Sequence, residues 1–335
     1  MDPTTFSNSL GERLLDFAWE EWAQMGISAV PRRESRWAQD PEALIVFTLQ
    51  VARADPRLFD ELLDWMLLNE SLLSVRRLRA VCVDGADRAL VAGSIGWLAR
   101  RRPRARLRTT GQLAPNGPPE LLFAGGASTV DPDPDFATAG LRRPNAEPSG
   151  KSHSPDVTRP INLDFRLRRI FGVSIRAEVV RVLLCTTAPL MRASALARST
   201  VYSKRNVHDS LTDLAAAEVV KVFTVGGEQR YEIDKSRWSA WLDLGPGGPP
   251  AHHEWPQLFG VLRRILRWSQ QPELTEASDY IKASRARQLL DELRPDLSFA
   301  GVPTNLRTTA EDAPAALEKV IDDILTPLEH ASGRG

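Results

Sequence analysis

RAEVVRVLLC (residues 176–185), RASALAR (192–198), KRNVHDSLTDLAA (Lys204–Ala216) and VVKVFTVGGEQRYEI (219–233) form the stretch on which the reading of this chain turns. In the first segment Val179, Val180, Val182, Leu183 and Leu184 recur at three- and four-residue spacing, which predicts a buried helix. Pro189 then closes it, having no N–H to donate and a fixed φ. Residues 192–198 predict a short second helix, whose small apolar Ala193, Leu196 and Ala197 let two helices cross closely. Residues 199–202 supply a turn, and the Ser203 hydroxyl stands where it caps a new helix start.

From Lys204 onward the apolar set is Val207, Leu211, Leu214 and Ala215, so one face of the third helix belongs to a core. The opposite face carries Arg205, Asn206, His208, Asp209 and Thr212, side chains able to bond base edges or phosphates. Arginine pairs bidentately with guanine and asparagine with adenine, which singles out Arg205 and Asn206. Residues 219–224 alternate as a strand, 225–228 hold a Gly226-Gly227 turn, and 229–233 return as a second strand. Three helices followed by a hairpin predict a winged helix-turn-helix, with Arg230 and the exposed amides of Gly226 and Gly227 against flanking backbone or minor groove.

The small-residue second helix, Ser203 four residues before Val207, the core positions Leu211 and Leu214, and a strand-turn-strand containing Tyr231 resemble the winged-helix regulators of the MarR and ArsR type over about a fifth of the chain. The resemblance implies binding of double-stranded DNA, with Ser203, Lys204, Arg205, Asn206 and His208 at the family's groove-facing positions. Asp209 and Asp213 depart from the pattern by placing acids on that face. The full set of expected DNA-binding residues is Arg192, Ser203, Lys204, Arg205, Asn206, His208, Gly226, Gly227 and Arg230. Winged helices also serve as docking modules, so the alternative is a protein-interaction adaptor or antitoxin-like partner.

Charge favours the first reading. The chain as a whole has 43 Lys+Arg against 43 Asp+Glu, yet residues 160–240 hold 13 basic and 8 acidic side chains, concentrating a positive field where the motif lies. Arginine abundance alone says less, because 37 of the 43 basic residues are arginine in a chain also rich in alanine and proline.

At 335 residues about two domains are expected. The expected fold is mainly α with one small β-hairpin wing: an N-terminal helical bundle (residues 1–108), a Pro/Gly-rich, largely irregular linker (109–160), the winged helix-turn-helix (161–243) and further helices (251–330). In the bundle, Leu10, Leu14, Phe17, Ala18, Trp22 and Met25 share one helical face. Asp40-Pro41 and Asp55-Pro56 are helix starts, each a cap followed by proline at the first helical position. Residues 43–52 are almost wholly apolar, marking a central helix. Ser74 is placed to cap a short helix displaying Arg76, Arg77 and Arg79, either a second DNA-reading helix or a solvated one. Arg100, Arg101, Arg102, Arg104, Arg106 and Arg108 make a basic run that serves as a phosphate-contacting arm or simply leads into the linker.

Within the linker, residues 120–124 (ELLFA) are able to dock on a domain. Ser149-Gly150-Lys151-Ser152 has the end of a phosphate-binding loop, but Asn145 stands where the earlier glycine is required and no strand leads in, which argues against nucleotide binding. Residues 161–171 predict an amphipathic helix leading into the motif. Near the C-terminus Leu317, Val320, Ile321, Ile324 and Leu328 form a stripe fit for a core or for a dimer seam, and a homodimer would suit two-fold DNA sites.

No histidine has metal-ligand spacing to a second ligand; His252-His253 before Glu254 reads as a loop pair, and no metal or cofactor is expected. Cys82 and Cys185 fall in apolar helical runs and are expected reduced. No nucleophile elbow, paired-carboxylate motif or kinase signature occurs, so no enzyme is expected. Without a leader pattern or a run of eighteen apolar residues, the chain is expected to be cytoplasmic and away from membranes. Nine tryptophans leave a ligand-sensing pocket as a third reading, against their more usual place in a core.

Overall fold

Short polar side chains fix the starts of the early helices that follow the first one. Asp40, Asp55, Ser74 and Asp84 each precede a helix and accept bonds from its first free N–H groups. The computed structural model describes residues 3–102, 119–123, 131–303 and 309–330. Its N-terminal part comprises α1 (Pro3–Met25), α2 (Pro41–Val51), α3 (Pro56–Leu68), α4 (Val75–Ala80) and α5 (Gly85–Arg101). All of α2 is buried, as its continuous apolar run requires, and Phe47 stacks on Phe259 at 4.5 Å between ring centroids.

The segment after α5 is more ordered than its composition suggests. Strand β1 (Glu120–Leu121) pairs in parallel with β2 (Leu141–Arg142), and α6 (Pro134–Thr138) lies between them in sequence. Leu122, Phe136 and Leu141 are buried in the same core as α2, so this part of the expected linker packs as an integral layer. Gly93 explains the docking. A Cβ there would stand 2.6 Å from the Phe136 ring, so the absent side chain is the seat for the aromatic. The Ser149–Ser152 stretch has its own anion, because Ser149 Oγ and the Gly150 and Ser152 amides all donate to the Asp64 carboxylate at 3.1–3.2 Å. Arg104, Arg106 and Arg108 lie outside the described residues.

Next come α7 (Leu163–Phe171), α8 (Ile175–Cys185), β3 (Met191–Arg192), α9 (Ala193–Thr200), α10 (Lys204–Ala216), β4 (Lys221–Val225), β5 (Glu228–Glu232) and α11 (Lys235–Trp241). The three strands form an antiparallel sheet in the order β3-β5-β4, with Met191 opposite Tyr231 and Val222 also opposite Tyr231. Arg192, expected as the first residue of a helix, is the N-cap of α9 and also the last residue of the short edge strand β3. Four helices complete the described chain: α12 (Trp255–Ser269), α13 (Pro272–Glu276), α14 (Asp279–Phe299) and α15 (Ala313–His330).

Two cores result. The larger combines α1, α2, α3 and α5 with α12, α14 and α15, so residues 251–330 share one interior with the N-terminal helices. The α15 stripe of Leu317, Val320, Ile321, Ile324 and Leu328 is buried inside that core, so the dimer-seam alternative does not apply to it. Four of the nine tryptophans are structural: Trp22 donates to Thr48 Oγ1, Trp37 to Glu21, Trp65 to the Met25 carbonyl and Trp255 to the Ala38 carbonyl, all at 2.7–2.8 Å. The smaller core gathers Leu163, Leu167, the apolar face of α8, Leu196, Val207, Leu211, Leu214, Tyr231 and Ile233.

Between the cores lies a buried ionic seam. Arg77 of α4, Arg168 of α7 and Arg181 of α8 meet Asp40, Glu42, Asp164 and Glu178, and all seven side chains are excluded from water. Arg168 alone reaches Glu42, Glu178 and Asp164 at 2.6, 2.6 and 2.7 Å. Buried charges of this kind are a weak source of net stability, yet each becomes costly as soon as one partner is lost. Three cations cannot neutralise four carboxylates, and burial pushes Asp164 up to about 7, with Arg168 and Arg181 offsetting only part of the effect. Burial also raises Glu178, but its contacts with Arg77, Arg168 and Arg181 outweigh that and bring it down to about 2. No described helix is long and apolar enough to cross a membrane.

Candidate nucleic-acid interface

A sharp turn separates α9 from α10. Val201 adopts the left-handed conformation at φ 56°, uncommon for a β-branched residue, and this turns the chain sharply between α9 and α10. Its side chain packs against the larger core, which holds the turn in place. Ser203 then caps α10, accepting from the Asn206 backbone N–H at 3.3 Å.

Along α10 the division of faces follows the apolar spacing. Val207, Leu211 and Leu214 are buried, while Lys204, Arg205, His208, Asp209, Thr212 and Asp213 are exposed. The back of α9 is covered: Gln257 donates to the Arg198 carbonyl, Ser199 donates to Glu254, and Arg198 itself bonds the Pro295 carbonyl and Asp296. The outward face of α10 therefore stays accessible beside two cores.

The expected residues fare differently. Lys204 and Arg205 are exposed and have no carboxylate partner among the described residues. Asn206 is occupied. A guanidinium only donates, so the amide oxygen must face Arg76, whose two terminal nitrogens lie at 2.8 and 2.9 Å, and the amide nitrogen then donates to Ser203 Oγ at 3.2 Å. Direct reading of adenine by Asn206 would require breaking that arrangement. Thr212 Oγ1 is likewise occupied, donating to the His208 carbonyl at 3.0 Å along the helix surface.

Asp213, an acid on the open face, is paired with Arg176 of α8. Asp209 remains exposed. At the hairpin Gly226 and Gly227 have φ of 60° and 79°, the two successive left-handed residues of a tight hairpin turn. Arg192 and Arg230 are directly opposite on β3 and β5, a repulsive placement relieved by Glu228, which lies 3.0 Å from Arg192 and 3.5 Å from Arg230. The hairpin therefore offers one net positive charge from these three side chains.

No family model, curated protein or solved structure matches this chain.

Sequence reasoning singles out Arg76 only as one of the α4 arginines, and nothing local places it against Asn206, 130 positions further on. Arg176, the partner of Asp213, escaped it, because its helix reads as buried core. Arg77, grouped with Arg76 and Arg79 in the sequence, is instead fully buried in the ionic seam. No group of three or more His, Cys, Asp or Glu among the described residues is arranged to hold a metal ion. His252 and Glu254 form a pair at 3.1 Å, and burial lowers the neighbouring His253 to about 4.

Proposed function

We propose that this protein is a DNA-binding transcriptional regulator in which α8, α9, α10 and the β4–β5 hairpin act as a winged helix-turn-helix. Helix α10 enters the major groove, Lys204 and Arg205 lead, and the Gly226-Gly227 turn follows the adjacent backbone. The observation that carries the reading is the outward face of α10, which remains open among the described residues although cores flank its other sides. The pairing of Asp213 with Arg176 supports it further by muting an acid that would repel phosphate.

The test is selection from a pool of random-sequence duplexes with the full chain, followed by binding measurements on the enriched sequence. Arg205→Ala should lose about 1–3 kcal/mol of discrimination at one base position if its guanidinium reads guanine. Absence of any enriched sequence, or an Arg205→Ala variant binding like the parent, would overturn the proposal.

A second reading is favoured by one specific feature. Edge strand β4 leaves Val222, Phe223 and Val225 exposed at 42, 40 and 46 %, more apolar surface than phosphate contact requires. An adaptor that docks another protein through this hairpin would use those side chains. Retention of a stoichiometric protein partner, abolished by Phe223→Ser and without DNA enrichment, would favour that reading.

A further inference from the structure

Helix α4 belongs to the larger core by sequence position but abuts the start of α10. Its inward residue, Arg77, makes the attachment, bonding Glu178 of α8 at 2.9 Å and the carbonyl of Thr200, the last residue of α9, at 2.8 Å. It also pairs with Asp40 and Glu42, so α4 is held to the α9–α10 turn by a fully buried guanidinium. The outward residues are thereby offered from a fixed position. Arg76 lies over the Tyr202 ring at 4.9 Å and grips the Asn206 amide oxygen. Arg79, one turn further along, is exposed. Neither has a carboxylate partner among the described residues.

A neutral amide orients a guanidinium without cancelling its charge. Arg76 therefore stays a full cation at the end of α10 where free N–H groups and the helix dipole already favour an anion. We propose that α4 is a second DNA-contacting element, with Arg76 and Arg79 meeting backbone phosphates beside the groove that α10 occupies. The inference rests on the DNA reading of α10 and extends its footprint to a helix of the other core. Asn206 becomes a positioning residue that aims Arg76, and Lys204, Arg205, Arg76 and Arg79 make one cationic face assembled from two elements more than a hundred residues apart.

Contacts to phosphate release counterions, so they are counted by the salt dependence of binding. The full chain is titrated against a fluorescent mixed-sequence duplex of about 24 base pairs over a salt series, as the parent, Arg76→Gln/Arg79→Gln, Arg79→Gln and Arg205→Ala. The double variant should flatten the log–log salt slope by about 2 and Arg79→Gln by about 1, at roughly 0.9 per phosphate contact. Arg79 makes no side-chain hydrogen bond or ion pair among the described residues, so its variant remains informative even if replacing Arg76 disturbs the α4–α10 junction; thermal unfolding of each variant checks that. Parent-like slopes in both α4 variants, with weakened binding by Arg205→Ala, would overturn the role of α4 and leave the α10 reading standing. A parent that shows no salt-dependent binding would remove both.

Discussion

Replacing Arg168 with methionine tests what holds the two cores together. Methionine keeps much of the aliphatic volume, so the change removes charge more than packing. Arg168 has three carboxylate partners, Glu42, Asp164 and Glu178, all within 2.7 Å and buried, and it also donates to the Leu72 carbonyl at 2.6 Å. Without it four carboxylates face two arginines. Leaving a buried charge unpartnered costs about 3–5 kcal/mol, a large share of the roughly 5–15 kcal/mol available to a folded domain. Asp164, already raised, relieves the loss by taking up a proton, so its folded pKa rises further above the unfolded one, while the depressed pKa of Glu178 moves back up toward its ordinary value. A raised carboxyl pKa makes stability fall as pH increases, hence the deficit should be greatest at pH 7 to 8 and smaller near pH 5. Urea unfolding of parent and Arg168→Met at both pH values measures it. A deficit under about 1 kcal/mol at pH 7, or one that is the same at both pH values, would refute the account of the seam as a mutually dependent charge network.

Asp164→Asn isolates the surplus carboxyl. Its folded pKa of about 7 against an ordinary 3.8 means ionisation destabilises the fold between those values, up to about 4 kcal/mol, and the asparagine should flatten the decline in stability from pH 4 to 7. An unchanged pH profile by denaturant titration would contradict this. Glu178 has the opposite sign: its lowered pKa of about 2 stabilises the fold above pH 4.5, and Glu178→Gln should weaken acid unfolding's dependence on pH between about 2 and 4.5. Gly93→Ala drives a methyl into the Phe136 ring and should cost about 1–3 kcal/mol, read as a lowered thermal midpoint; a parent-like midpoint would show that the aromatic yields freely. Arg176→Gln unmasks Asp213 on the open face of α10, so DNA affinity at low salt should fall while thermal stability barely moves, and the affinity difference should shrink as salt rises. Equal affinities at low salt would remove the role assigned to that pair.

The helices were legible because their causes are local. Capping aspartates before Pro41 and Pro56, the apolar spacing of α8 and α10, and the Gly226-Gly227 turn act within a few residues of themselves, so the linear chain already holds the information. The same is true of the division of α10 into buried and exposed faces, since a 3.6-residue period fixes it once a core is present. Even so, a face is a direction and not a neighbourhood, and what meets it is set elsewhere.

Neighbourhood was decided by tertiary structure alone. Composition made residues 131–160 look like a spacer because proline and glycine suppress regular elements, yet one aromatic, Phe136, finds a glycine-shaped seat on α5. Arg76, Arg77 and Arg79 look equivalent in sequence, and only the packing of α4 against two cores sends the middle one into a buried network and leaves its neighbours at the surface. Asn206 reads as a base contact until Arg76 arrives from far upstream to occupy it. Periodicity and caps are short-range forces written in adjacent letters, whereas charge pairing between distant segments depends on where the finished fold places them.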